Sequence, residues 1–417
     1  MEREKSGPFC PDGAADGVPM RSEMDRRTFG KAALAGIAGL AGPATGARGA
    51  PERVPPGLQR RREGDLYYRP LGATGLWVSE LALGGSPSPA QNVFLAAMER
   101  GVNYCDTSVR YEQGNGEREI GRILKGRRGK MHISTKFTVN RDGVFNTESL
   151  LKQVEGSLSR LQTDYVDILC IHRAGGEKDA FADWVLEGIE RLRKAGKARF
   201  FGASVHNTSF DFNRRMIECG HYQALLIPIN TYFDSKLTNG PDTLTRVLQL
   251  AAETGVGIVA MKSLAAGGAA KVAPPPGVSP AQAKIRWVLQ KPEISTVLNE
   301  MTTFDYLKEN LAASTADLSP KEEAYLRQCV RERGDAYCRM CHTCEAGCPA
   351  GLPVPELLRA RMYAVDYGDG RRARAAAAEL NAASLLGQCR RCGQCQVACP
   401  WGVRTGRLLE QLRGIIG

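Results

Sequence analysis

The sequence predicts an α/β protein: a (β/α)8 barrel of the TIM-barrel type, followed by a small helical, cysteine-rich domain. Three observations carry this. At 417 residues the chain exceeds one ordinary domain and fits a barrel of about 250 residues with smaller additions. Its middle alternates short apolar runs with amphipathic helical patterns. Its end carries two near-identical four-cysteine runs, "YCRMCHTCEAGCP" from Tyr337 and "QCRRCGQCQVACP" from Gln388.

The candidate strands between Leu76 and Ala313 are "VSELALGG", "NYCDTS", "HISTKF", "YVDILCIH", "ARFFGASV", "QALLIPIN", "GIVAMK" and "ISTVLNE". Between them lie "TESLLKQVEGSLSRLQ" and "FADWVLEGIERLRKAGK"; the second sets Phe181, Val185, Ile189 and Leu192 at helical spacing. Eight strands with intervening helices predict a closed parallel sheet inside a helical ring. No Gly-x-Gly-x-x-Gly follows a strand, which disfavours a doubly wound dinucleotide fold. Boundaries follow: residues 1–63 as leader and linker, 64–333 as barrel, 334–417 as cysteine-rich domain.

Composition narrows the function classes. The net charge of +11 is spread along the chain, with no basic stripe or nucleic-acid motif, so nucleic acid is not an expected partner. Residues 331–417 hold 13 Arg against 8 Asp or Glu, an excess that two anionic clusters would offset. No run of about 20 apolar residues suggests a spanning helix in the mature protein. Of the 13 cysteines, Cys105 and Cys170 fall in strand-like segments and read as small buried hydrophobes. Nothing resembles a disulfide scaffold.

The front segment "MDRRTFGKAALAGIAGLAGPATGARGA" pairs Arg26 with Arg27, then gives Phe29, Lys31 and an Ala/Gly/Leu run. It resembles a twin-arginine export signal starting at Met24, with small residues near Ala47–Ala50 for cleavage. The expected location is therefore periplasmic or exported, and cytoplasmic otherwise.

Four polar residues stand at strand ends: Asp106, Tyr111 five residues later, Lys136 and His172. Barrel chemistry sits at the C-terminal face, where adjacent strands would bring all four together. A phenol titrates near pH 10 and is a weak acid at neutrality. A neighbouring ammonium lowers that value; Asp106 could pair with Lys136 and hold it, and His172 could orient a substrate carbonyl. The set suits proton donation during carbonyl reduction. His206 and Asn207 follow the fifth strand and could line the site, but read first as a turn-forming pair; His132 and His221 carry no weight.

The segments "YRPLGATGLWVSELALGG", "GVNYCDTSVRYEQGNGE", "HISTKF", "VDILCIHR", "GASVHN" and "YLKENL" resemble the aldo/keto reductase family over about residues 67–330. The resemblance implies a barrel enzyme using NADPH, or less often NADH, on a small carbonyl or alcohol substrate. Its Asp–Tyr–Lys–His tetrad falls on Asp106, Tyr111, Lys136 and His172. Its cofactor positions fall on Gly84, Gly85, Ser204, Lys262, Leu264, Glu309 and Asn310. The chain departs from the pattern at Val205, where an Asn is usual, and at Ile227, where a Gln is. Glu300 stands where a Lys often meets the 2′-phosphate, and Tyr306 where an Arg is common. A carboxylate repels a phosphate and suits a ribose hydroxyl, so the expectation is NADH.

Each cysteine run reads C-x2-C-x2-C-x3-C-P and resembles the bacterial ferredoxin signature, in which the fourth cysteine ligates the other cluster. The expectation is two [4Fe-4S] clusters, one on Cys338, Cys341, Cys344 and Cys399, the other on Cys389, Cys392, Cys395 and Cys348. Zinc is the rival thiolate binder; His342 reads as a spacer. Between the runs, "PVPELLRARMYAVDYGDGRRARAAAAELNAASLLGQ" reads as two helices around "YGDG", a helical ferredoxin-like tail. A redox partner protein is expected if the clusters pass electrons. The alternative function is an electron-transfer or redox-sensing protein whose barrel binds nicotinamide without turnover; a third is a structural or regulatory barrel.

Overall fold

A computed structural model describes residues 59–416 apart from 86–87, 141, 266–271, 390–394 and 396–398. The twin-arginine-like segment and Cys392 lie outside the described residues. Residues 53–417 form one compact unit.

The unit opens with three short strands, β1 (Arg61–Glu63), β2 (Leu66–Pro70) and β3 (Trp77–Ser79), paired antiparallel in that order. Eight further strands follow: β4 (Leu81–Gly84), β5 (Tyr104–Asp106), β6 (His132–Phe137), β7 (Val166–Ala174), β8 (Ala198–Val205), β9 (Ala224–Pro228), β10 (Gly257–Met261) and β11 (Ile294–Asn299). They close in sequence order, and β11 returns in parallel to β4 through Val297 and Leu81. The expected eight-stranded parallel barrel is observed.

One expected strand is two. "VSELALGG" breaks at Glu80, where the chain leaves the floor sheet and enters the barrel. Glu80 keeps both backbone groups paired, donating to Tyr67 and accepting from Val297. Its fully buried carboxylate accepts from Arg69 Nε at 2.7 Å and from Arg60 Nη2 at 3.0 Å. A buried charge needs such partners, so Glu80 fixes the corner.

Alternation sorts each strand. Ala82, Tyr104, Ile168, Cys170, Ala224, Leu226 and Val259 point into the barrel, where Leu71, Leu76 and Val78 of the floor meet them. Gly72, at φ +52, brings this floor against the backbone: an added Cβ would sit 2.3 Å from the Gly255 carbonyl. The opposite faces pack under the helices. In helix Asp183–Lys194, Val185, Ile189 and Leu192 are buried as their spacing predicts, whereas Phe181 lies before the helix. Asn146 caps helix Thr147–Leu161 with a reciprocal Ser149 bond, which satisfies two otherwise unpaired amides.

The tail is helical. Val354–Val365 and Gly370–Glu379 flank Tyr367–Asp369 as expected, and Ala382–Gly387 and Thr405–Ile416 add to them. Leu357, Leu358, Leu386, Leu408, Leu409 and Leu412 form a second core, separate from the barrel core that extends through Tyr325, Cys329 and Tyr337. No described helix is long and apolar enough to cross a membrane.

The tail docks on the C-terminal rim of the barrel. Thr208, after β8, donates its amide to Met340 O at 2.9 Å and its hydroxyl to Arg339 O at 2.5 Å. Asn230, after β9, donates to the Tyr337 hydroxyl at 3.0 Å. Arg359 reaches His206 Nδ1 at 2.9 Å. Arg173 pairs with Glu356 and Glu379. His206, read first as a turn residue or else as lining the site, instead meets the tail, while Asn207 accepts from Ser209 N at 3.0 Å as a turn residue does.

Candidate functional site

A cavity of about 420 Å³ opens at the C-terminal end of the barrel. Asp106, Tyr111 and Lys136 line one part of it, with Leu226, Met261 and Leu298. Asp106 ends β5, and Lys136 lies one residue before the end of neighbouring β6.

Lys136 is 1% exposed. Its ammonium contacts the Asp106 carboxylate, donates to Thr107 O at 2.8 Å, and stands 3.4 Å from the Tyr111 hydroxyl. Ser134 Oγ donates to Asp106 Oδ1 at 2.9 Å. Burial pushes Lys136 down, but Asp106 and Tyr111 outweigh it and hold the ammonium above its ordinary value. For Tyr111 the balance runs the other way. Burial raises the phenol, and the pull of Lys136 does not cancel it. The expected net lowering by the ammonium is therefore not found: the cost of burying the phenolate outweighs the attraction of Lys136. His172 meets Tyr111 edge-on, ring centroids 5.6 Å apart, and Ser108 Oγ lies 2.9 Å from its Nδ1.

Tyr111 sits on a strained turn. Glu112 and Gln113 follow it at φ +50 and +56, then Gly114 at +84. Left-handed backbone costs a non-glycine residue roughly 1–2 kcal/mol, and such strain gathers at sites held by their surroundings. Lys262 and Ala265, on the loop after β10, share it at φ +56 and +49.

The cavity runs on past Gly84, Gly85, Lys262, Ser263 and Leu264 to Asn299, Glu300, Tyr306, Glu309 and Asn310. Gly85 is required by close approach: a Cβ there would lie 2.3 Å from Asp106 O. Of the sequence-predicted cofactor positions, Gly84, Gly85, Lys262, Leu264, Glu309 and Asn310 line this space. Ser204 does not; it is buried behind Met261, its hydroxyl 3.9 Å from the sulfur. The residue of β9 that faces the cavity is Leu226, and Ile227 turns to the outer layer. A one-residue slip exchanges the faces of a strand, so the comparison made at Ile227 belongs to Leu226. Asn310 is already engaged, accepting from Asn299 Nδ2 at 3.0 Å and donating to Tyr306 O at 2.7 Å.

Sequence reasoning missed the roof. Met362, Tyr363, Tyr367 and Arg372, all from the tail, also line the cavity. Only "YGDG" hinted at them, as a helix break.

The tail cysteines fall into two groups. Burial raises the thiols of Cys338 and Cys344, and their neighbours add to it: Cys341, Cys344 and Cys399 act on Cys338, and Cys341 and Cys399 on Cys344. Cys348, Cys389 and Cys395 line one small cavity with Leu352 and Leu409. This is the crossed grouping in which each run lends its fourth cysteine to the other. The described cysteines are free thiols. Among the described residues no three His, Cys, Asp or Glu side chains close round a point fit for one ion. A four-iron cluster asks for wider spacing, since each thiolate binds its own iron. Arg339, 2% exposed, stands beside Cys338 and Cys399 and donates to Tyr232 O and Tyr337 O at 2.9 and 2.7 Å. A buried guanidinium there suits an anionic group, so the donor set and its surroundings fit a cluster.

Residues 74–273 match the aldo/keto reductase family, and residues 337–404 match the 4Fe-4S dicluster domain. The chain is 27% identical to L-galactose dehydrogenase of Arabidopsis thaliana, over 60% of this chain and 88% of that one. It is 26% identical to the uncharacterized oxidoreductase YqkF of Bacillus subtilis, over 62% and 94%. Among solved structures, aldo-keto reductase AKR11C1 of Bacillus halodurans shares the fold, with a TM-score of 0.52 at 24% identity, over 63% of this chain and 95% of that one.

Proposed function

For an oxidoreductase of aldo/keto reductase type that carries a 4Fe-4S dicluster domain, we propose that the barrel interconverts a small carbonyl and its alcohol, with Tyr111 as proton donor. The observation that carries this is the contact chain Asp106–Lys136–Tyr111 at the cavity wall. A bound nicotinamide supplies the hydride. Tyr111 gives its proton to the carbonyl oxygen, and Lys136 stabilises the phenolate left behind. Asp106 keeps the ammonium charged and in place. His172, edge-on to the Tyr111 ring, orients the carbonyl.

Glu300 supports NADH as the cofactor. It lines the far part of the cavity, and a carboxylate there repels a 2′-phosphate while accepting from a ribose hydroxyl. Two [4Fe-4S] clusters are held by Cys338, Cys341, Cys344 and Cys399, and by Cys348, Cys389, Cys392 and Cys395. Their chemistry is one-electron transfer, which calls for a redox partner protein. The Arg26–Arg27 signal directs the folded, cluster-loaded chain out of the cytoplasm.

The test is Tyr111→Phe in anaerobically purified full-length protein. Turnover with a panel of aldehydes and ketones falls at least 100-fold, and nucleotide affinity stays within twofold. Wild-type protein that binds nicotinamide but turns over no carbonyl would favour the electron-transfer or sensing alternative.

A further inference from the structure

We propose that Lys262 and Arg372 form one anion site, shared between barrel and tail, that holds the diphosphate of the nicotinamide dinucleotide. The proposal rests on the nicotinamide reading above and deepens it: nucleotide binding is divided between the two domains.

Both side chains line the same cavity, from opposite sides of the domain junction. Lys262 is fixed by its left-handed backbone on the loop after β10. Arg372 stands near the start of helix Gly370–Glu379, where the Asp369 carboxylate accepts its amide at 2.9 Å. Its guanidinium lies 4.5 Å from the centre of the Tyr363 ring, which sets the direction in which it points. Among the described residues, Glu356 acts on Lys262 and Arg372 on Glu300 only through space. Two like charges facing one cavity repel each other, and an anion between them removes that penalty. The barrel itself offers no cation at Glu300 or Tyr306, so the tail supplies one.

Position along the cavity selects the diphosphate. Arg372 lines the same cavity as Tyr111 and Glu300. The nicotinamide belongs beside Tyr111, and the adenosine beside Tyr306 and Glu309. The middle of a dinucleotide is its diphosphate. Guanidinium groups bind such oxygens in a forked geometry that an ammonium lacks.

The test compares Arg372→Ala, Arg372→Lys and the neighbouring control Arg371→Ala in the full-length, cluster-loaded chain, with iron content checked for each. Dissociation constants are measured for NADH, NADPH, ADP-ribose and adenosine. Arg372→Ala should weaken NADH, NADPH and ADP-ribose alike, by about tenfold or more, as loss of a hydrogen bond to a charged group implies. Adenosine should be unaffected, Arg372→Lys should recover part of the loss, and Arg371→Ala should match wild type. Changes within twofold for all four ligands overturn the proposal. Loss confined to NADPH reassigns Arg372 to the 2′-phosphate and overturns it too. So does an unchanged dinucleotide affinity with a raised KM for a 2-oxo acid, which would make the pair a substrate carboxylate site. Wild-type protein that binds ADP-ribose through Arg372 but reduces no carbonyl supports this site and sinks the reductase reading. Wild-type protein that binds none of the four overturns both.

Discussion

Tyr232 of the barrel and Tyr337 of the tail stack with ring centroids 4.5 Å apart and planes 19° from parallel. Both are buried, and Phe233 meets Tyr337 edge-on. This contact seats the first cysteine run on the barrel one residue before Cys338. The tail held there supplies Met362, Tyr363, Tyr367 and Arg372 to the cavity wall.

Docking can be disturbed at a second point. Trp401 lies against Gly240, where an added Cβ would sit 2.1 Å from the indole. Gly240→Ala should displace Trp401 and weaken docking by about 1–3 kcal/mol, the usual range for overpacking. Hydrogen exchange in Val354–Val365 should speed up, and Gly129→Ala, which meets nothing within 4 Å, should leave it unchanged. Equal protection in both variants would mean that Trp401 does not anchor the tail.

Lys136→Met removes the charge beside Tyr111 and strands Asp106 in the core. Breaking such a buried pair costs about 3–5 kcal/mol, and turnover should drop at least 100-fold. The double variant Asp106→Asn/Lys136→Met should regain stability in urea unfolding without regaining turnover. Recovery of turnover in the double variant would remove Lys136 from the chemistry.

The pH profile follows from the raised Tyr111 pKa. A phenol held above 10 stays protonated through neutrality, so carbonyl reduction should lose no rate to its ionisation below about pH 9. Alcohol oxidation needs the phenolate and should accelerate as pH rises over the same range. Rates of both directions from pH 6 to 10 check the signs; a reduction rate that falls between pH 6 and 8 contradicts Tyr111 as the acid.

Glu300→Lys exchanges a repulsive for an attractive charge at the far end of the cavity. It should improve NADPH affinity relative to NADH by about tenfold, near 1.4 kcal/mol. A ratio of dissociation constants that already favours NADPH tenfold in the wild type counts against the NADH assignment.

Cluster ligation is read by iron content. Cys399→Ser belongs with Cys338, Cys341 and Cys344, and Cys348→Ser with Cys389 and Cys395. Each single variant should lose about half the iron, and Cys399→Ser should alter the same cluster as Cys338→Ser by electron paramagnetic resonance. If Cys399→Ser matches Cys389→Ser instead, the crossed arrangement is wrong.

The local patterns were written plainly in the chain. Short continuous apolar runs named the eight strands, because a strand buried on both faces must be apolar. The spacing of Asp106, Tyr111, Lys136 and His172 marked strand ends, and parallel closure left them one rim on which to meet. Cysteine spacing named the candidate ligands, because thiolate is the donor that iron requires. Which way a strand faces was harder: Leu226 and Ile227 differ by one step, and only the closed sheet chose between them. The roof of the cavity was not legible at all. Tyr363, Tyr367 and Arg372 lie more than 200 residues from Asp106, Tyr111 and Lys136, on two helices and the break between them, whose own pattern says only that one face of each helix is buried. Their place above the cavity is decided by where the tail docks, and docking depends on surface shape and charge pairing between distant segments, which no local periodicity encodes.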